Sequence, residues 1–244
     1  MSELKHERFF SLADQNIHEP EQRSKEWFER RKHKITGSKL SQWLFCDTDE
    51  DRIRLYEETF EGRKKPPFPE EAKKYMAWGT KNEDTAMESL LNHVPDLLTM
   101  EAPMIQHTSI PYLAASPDGF FELGDERGIV EIKCPGKTKK ANKRVTWYYV
   151  PQMFLEMACS GRKTAMFVSW GQDTCRAWRL FWDEDMWAAL SMMIDVFMRT
   201  KDPSNVATYD DFLQAQFNLK KNCLRCVDNA TAVSPDEGWL TTQQ

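Results

Sequence analysis

The stretch that most limits what this chain can fold into joins Ser116-Pro117-Asp118-Gly119 to Gly128-Ile129-Val130-Glu131-Ile132-Lys133-Cys134-Pro135. Asp118-Gly119 reads as a turn closing the apolar run 112–115. Residues 129–134 read as a short strand, rich in β-branched side chains and stopped by Pro135. Side chains alternate along a strand, so Glu131 and Lys133 share one face while Val130 and Ile132 point into a core on the other. An isolated pair of this kind is most often an ordinary ion pair on a half-exposed strand, worth under about 1 kcal/mol. Here apolar residues and a Cys-Pro stop enclose it, so the strand reads as internal, and internal charges need partners or a metal. Asp118 precedes Glu131 by about a hairpin's length, which brings a second carboxylate beside the first.

The remaining periodicity supplies the walls. Amphipathic helices are predicted over 39–45 (Leu40, Trp43 and Leu44 on one face), 49–60, 70–78 with a break near Gly79, 80–94, 146–160, 183–200 and 209–218. Strands are predicted over 98–106, 110–115, 119–123, 129–134, 165–170 and 175–182, with 125–128 as a hairpin loop and 137–144 as a basic, poorly structured loop. Thr36 or Ser38 would cap the helix after Gly37. A helix start offers free N–H groups, and with Arg31 just upstream a phosphate is a natural guest. Pro151 suits a first helical turn and Gly161 a helix stop. Trp187, Leu190, Ile194, Phe197 and Met198 form a stripe read as core or subunit contact. This order of elements indicates a mixed α/β fold, a central mixed sheet with helices on its faces.

With 244 residues, the chain divides into an arm (1–23), one domain (24–226) and a flexible tail (227–244). A net charge of −5 excludes a general polycation. Local basic clusters at 30–34 and 137–144 are compatible with one polyanion groove or with solvated loops. No run is long and apolar enough to span a membrane, and residues 1–8 are charged, so an intracellular, non-membrane protein is expected. The six cysteines are scattered and read as free thiols; Cys223 and Cys226 would make only half a zinc site.

Four segments in order carry a family resemblance: Arg31…Ile35-Thr36-Gly37-Ser38; Ala77-Trp78-Gly79-Thr80-Lys81-Asn82-Glu83; Ser116-Pro117-Asp118-Gly119 with Glu131-Ile132-Lys133-Cys134-Pro135; and Tyr149-x-x-Gln152. Together they resemble the lambda-type alkaline exonucleases and YqaJ-like viral recombinases of the PD-(D/E)xK nuclease superfamily, over about Trp27 to Trp182. The chain departs from that pattern where a second glutamine is frequent, since Phe154 stands there. The resemblance implies a restriction-endonuclease-like core and a Mg²⁺-dependent 5′→3′ exonuclease on linear duplex DNA, with Mn²⁺ able to substitute. Such an enzyme releases 5′-mononucleotides and leaves 3′ tails for a single-strand annealing partner. By the same resemblance, Asp118, Glu131 and the Ile132 carbonyl hold the metal, and Glu83 holds a metal-bound water or a second cation. Lys133 positions and helps deprotonate the water or stabilises transition-state charge with its ammonium, Gln152 orients water or phosphate, and Tyr149 supports it. Arg31, Thr36, Ser38 and Ser116 form a pocket for a 5′-terminal phosphate. A toroidal trimer is implied too, with the 187–198 helix face as its candidate contact. Two other readings remain open: a structure-specific endonuclease or RNA-cleaving relative on the same core, and a DNA-binding member with a decayed site.

Overall fold

The computed structural model describes residues 22–241 and the backbone of the two-residue strand β1 (Ile17–His18). The arm expected over 1–23 lies largely outside the described residues. Eight α-helices are described: α1 (Lys25–Arg30), α2 (Gly37–Trp43), α3 (Asp49–Phe60), α4 (Glu70–Lys81), α5 (Glu83–His93), α6 (Val150–Ser160), α7 (Glu184–Met198) and α8 (Tyr209–Asp228). The strands are β2 (Ile35–Thr36), β3 (Leu98–Met100), β4 (Met104–Gln106), β5 (Leu113–Ala115), β6 (Gly119–Leu123), β7 (Glu126–Lys133), β8 (Thr164–Trp170), β9 (Thr174–Phe181), β10 (Thr231–Ala232) and β11 (Trp239–Leu240).

The main sheet runs β10-β9-β8-β7-β6-β3, with β11 also paired to β9. β7 and β8 are parallel, and their crossover is α6; the other pairs are antiparallel. This is the expected mixed central sheet. A small second sheet, β1-β4-β5-β2, places Thr36 beside Ala114 and so brings the start of α2 to the end of β5. Residues 98–106, expected as one strand, split between the two sheets, because Glu101–Pro103 turns the chain from β6 toward β5.

Alternation along β7 decides what each face sees. Ile129 and Glu131 face α6, within a core that includes Leu155, Phe167, Leu190 and Phe197. Val130 and Ile132 face α5, with Ala86, Leu90 and Phe121. α6 is buried on almost every side, which its apolar sequence requires. Pro151 sits in its first turn and Gly161 closes it in the left-handed region at φ 69°, where glycine carries no Cβ penalty.

Other expectations are corrected. The β6–β7 hairpin turns at Gly124-Asp125, so Glu126–Gly128 belong to the strand rather than to a loop. The basic loop after β7 is anchored: Ser169 Oγ accepts from the Asn142 amide at 2.9 Å, and the Lys139 carbonyl accepts from the Gln172 amide at 2.9 Å. α8 continues to Asp228 instead of stopping at 218. Residues 227–241, expected as tail, add β10 and β11 to β9. Finally, the 187–198 stripe lies within the chain's own core: Leu190, Ile194 and Phe197 are buried, and Trp187 and Met198 pack against them. Because that face is already covered, it offers no subunit contact.

Candidate active site

Asp118 enters the site because the chain leaves β5 through Ser116-Pro117 and joins the ladder of β6. Its amide donates to the Val130 carbonyl at 3.1 Å, and its Oδ2 accepts from the Ile132 amide at 2.7 Å. Backbone and side chain therefore both fix this carboxylate to β7. Glu131, one residue along, is only 1% exposed. Its Oε1 accepts from Lys133 Nζ and from Gln152 Nε2, the latter at 2.6 Å, while its Oε2 is buried without a partner. Gln152 sits in the first turns of α6, which faces β7, so the crossover geometry delivers it. Lys133 lies over the Tyr149 ring, 4.9 Å from its centroid.

Sequence reasoning missed Glu156. It lies one turn beyond Gln152, is 1% exposed, and accepts the second Gln152 Nε2 hydrogen at 2.9 Å; its Oε2 also lacks a partner. The available signal was a single glutamate inside an otherwise apolar helix, since glutamate is almost never fully buried without a partner. Gly37 of α2 makes room for this pair: a Cβ there would stand 2.8 Å from Gln152 Cγ and 3.3 Å from Glu156 Oε1.

Burial first, and then repulsion from Glu131, push the Asp118 and Glu156 carboxyls well above the ordinary carboxylate range. Burial pulls the Lys133 ammonium down, but Glu131 and Asp118 outweigh it and hold the group above its ordinary value. Lys133 therefore suits stabilisation of negative charge. The proton-abstracting role expected for it requires a lowered value, and the free site supplies none. A raised carboxyl pKa means that the folded state keeps a proton the unfolded chain has released. Stability from this source is greatest at low pH and falls as pH rises above the ordinary value of 4.5. In metal-free protein, the fall in Tm between pH 5 and pH 8 is thus expected to be shallower for Glu156→Gln than for wild type. Parallel curves by calorimetry in EDTA would count against a strained Glu156.

Glu83, the first residue of α5, is drawn aside: its Oε2 accepts from Arg23 Nη2 at 2.5 Å. It still lines a cavity of about 430 Å³ together with Asp118 and Ile132. Among the described residues, no three His, Cys, Asp or Glu side chains converge as a metal-ligand group. The donors at hand are two carboxylates: Asp118, which lines this cavity with Ile132, and Glu131, buried next to Ile132 on the same strand. An all-oxygen set suits a hard divalent cation, and the partnerless Glu131 Oε2 is the kind of atom such an ion satisfies. The residues fit the group, with Glu83 at the rim. All six cysteines are buried and free, so the half-site idea for Cys223 and Cys226 finds no support among the described residues.

The residues expected to grip a phosphate do converge. Arg31 Nη2 donates to Thr36 Oγ1 at 3.0 Å and to Ser38 Oγ at 3.1 Å, and Nη1 donates to Ser116 Oγ at 3.4 Å. Thr36 does occupy the N-cap position of α2, but its hydroxyl serves Arg31 and makes no cap bond. Trp27, also missed from sequence, donates Nε1 to Ser116 Oγ at 3.1 Å and carries the Arg31 guanidinium 4.0 Å from its ring centroid. Burial lowers the Arg31 pKa to about 10, opposed by Glu156. The guanidinium stays charged at neutral pH, and among the described residues its side-chain hydrogen-bond partners are the hydroxyls of Thr36, Ser38 and Ser116, none of them an anion.

Residues 26–163 match the YqaJ-like viral recombinase domain. The crystal structure of an alkaline exonuclease, LHK-Exo, from Laribacter hongkongensis has the same fold, with a TM-score of 0.55 at 23% identity. The structure of LHK-Exo in complex with dAMP gives 0.54, also at 23%. Each comparison covers 83% of this chain and 99% of the other. No curated protein sequence matches the chain. No described helix is long and apolar enough to cross a membrane. The matched segment holds every residue of the site described above, from Trp27 to Glu156, apart from Arg23; on that match the chain belongs to the YqaJ-like viral recombinase domain family.

Proposed function

We propose that the chain is a divalent-cation-dependent 5′→3′ exonuclease that degrades one strand of linear duplex DNA to 5′-mononucleotides and leaves 3′ tails. The observation that carries this reading is the joint placement of Asp118, Glu131, Lys133 and Gln152 around one buried cluster, beside a guanidinium whose partners are all hydroxyls. A protein of the same fold has been crystallised with dAMP, a deoxynucleoside 5′-monophosphate of the class that stepwise hydrolysis releases.

Asp118, Glu131 and the Ile132 carbonyl would hold Mg²⁺ or Mn²⁺, with Glu83 at the cavity rim. When bound, the ion neutralises charge at the phosphate and makes a water a better nucleophile at neutral pH. The chain's own residues do the rest. Lys133, kept protonated, lends positive charge as negative charge grows on the phosphoryl oxygens. Gln152 gives both amide hydrogens to Glu131 and Glu156, which fixes its orientation and leaves its carbonyl oxygen as a fixed acceptor for a water hydrogen. Tyr149 backs Lys133 and limits its excursions. Arg31, Thr36, Ser38 and Ser116 would bind a terminal 5′-phosphate, which sets the starting point and direction of hydrolysis. Tails of this kind suit a single-strand annealing partner. A homotrimer remains part of the proposal, built on a face other than the covered 187–198 stripe.

The end-grip is tested with 5′-phosphorylated and 5′-hydroxyl linear duplexes. A charge-assisted phosphate contact contributes about 1.5–3 kcal/mol, so Arg31→Ala should lose roughly 10–100-fold in kcat/KM on phosphorylated ends. On hydroxyl ends, wild type and variant should differ by no more than about threefold. An equal loss on both substrates would remove the pocket from the account.

A further inference from the structure

The Arg31 cluster opens on a cavity far larger than a phosphate needs. Its volume is about 890 Å³, and its lining includes Arg31, Thr36 and Ser38 but neither Asp118 nor Glu131. Spaces of this size accommodate ligands of many atoms. Two further cations line it, Lys39 from α2 and Lys65 from the loop after α3. Lys39 is half-buried, and its ammonium donates to the Lys34 carbonyl at 3.0 Å. Among the described residues it has no carboxylate within ion-pair distance. Lys65 has only a distant one, Glu58 at 3.8 Å, which Arg54 shares at 3.8 Å. The other basic residues of the lining are already engaged: Lys32 pairs with Glu29 at 2.6 Å, and His33 Nδ1 lies 3.1 Å from the Phe60 carbonyl. Trp27, Phe28 and Phe68 give the same cavity aromatic walls.

An under-neutralised cation in a partly dry cavity is unfavourable unless an anion arrives. We infer that Lys39 and Lys65 form a second anion subsite next to the Arg31 cluster, which takes a further phosphoryl group linked to the 5′-terminal phosphate. This rests on the reading of Arg31, Thr36 and Ser38 as the terminal-phosphate pocket. A 5′-di- or triphosphate end presents that chemistry, because its extra phosphoryl groups extend away from the bond to be cut, into a cavity that Asp118 and Glu131 do not line. The electrostatics agree, since burial, Lys65 and Arg31 together lower the Lys39 pKa to about 8, against Glu58. A bound phosphate would reverse that trend.

The test uses the full chain in EDTA, with dTMP and dTDP as calorimetric probes. Wild type should bind dTDP roughly tenfold more tightly than dTMP. In Lys39→Met, which keeps the apolar stem, and in Lys65→Gln, the ratio of the two affinities should fall toward one. Equal affinities in wild type, or a ratio that survives both substitutions, overturns the second subsite. If neither nucleotide binds wild type, the Arg31 pocket itself falls and this subsite with it. A kinetic arm compares a blunt 5′-monophosphate duplex with a blunt 5′-triphosphate duplex. A lower KM on the triphosphate end supports the second subsite, and an unchanged KM counts against it.

Discussion

Glu131→Gln is expected to reduce kcat by about 10³-fold or more while leaving a folded protein. The side chain is 1% exposed, and its Oε1 is the shared acceptor of Lys133 and Gln152. Substitution by the isosteric amide keeps the volume, so no cavity forms. It removes the charge that holds Lys133 in place and the carboxylate oxygen, Oε2, that is buried without a partner and is proposed to meet the cation. Loss of a buried anion beside a lysine ordinarily costs stability. Here the same change relieves repulsion on Asp118 and Glu156, both of which feel Glu131. The two effects oppose each other, and Tm is expected to stay within a few degrees of wild type. Activity and melting curves of the one variant check both halves. A folded variant within tenfold of wild-type kcat would remove Glu131 from the chemistry.

The second large effect is structural. Gly128→Ala should destabilise the protein by about 3 kcal/mol, the upper part of the overpacking range. For a chain of this size that corresponds to a drop in Tm of roughly 6–12 °C. Gly128 lies in β7 directly opposite Phe121. A Cβ there would meet Phe121 Cε1 at 2.3 Å and the Thr164 carbonyl oxygen at 2.4 Å. The ring is fully buried and the carbonyl belongs to β8, so neither can withdraw without opening the sheet that carries Glu131. Gly124 provides the contrast. It has φ 62° but nothing within 4 Å of its Cβ position, and asparagine tolerates such a turn. Gly124→Asn should therefore shift Tm far less than Gly128→Ala. Comparable shifts for the two would show that the packing argument is wrong.

The strand carrying Glu131 and Lys133 was legible because period-two alternation and a proline stop are local signals. Faces followed from it without further information: Val130 and Ile132 do point to α5, and Glu131 to α6. The convergence of Asp118 with Glu131 was also within reach, because a hairpin joins them. Glu156 was not. Its burial depends on α6 crossing between β7 and β8, a long-range fact that helical periodicity does not encode. Lys39 was hidden for a similar reason, since it reads as one more polar residue on an amphipathic helix until α3 and the following loop close over it. The end of the chain was misjudged on composition. Polar residues 227–241 look like a tail, yet backbone pairing to β9 asks little of side-chain hydrophobicity, and a sheet edge accepts such strands. The trimer contact failed on burial: an apolar stripe at helical spacing looks the same whether its cover is the chain itself or a partner.

The central claim is hydrolysis that starts at a 5′ end and proceeds stepwise, and a time course on linear 5′-phosphorylated duplex with Mg²⁺ tests it most directly. Two substrates would be compared, one labelled at the 5′ end and one at the 3′ end, with Glu131→Gln as the control. The account predicts that the 5′ label appears as mononucleotide in the earliest samples, while the 3′ label persists on a long single strand. Early release of the 3′ label, internal fragments from either substrate, or equal cleavage of a covalently closed circle would contradict it.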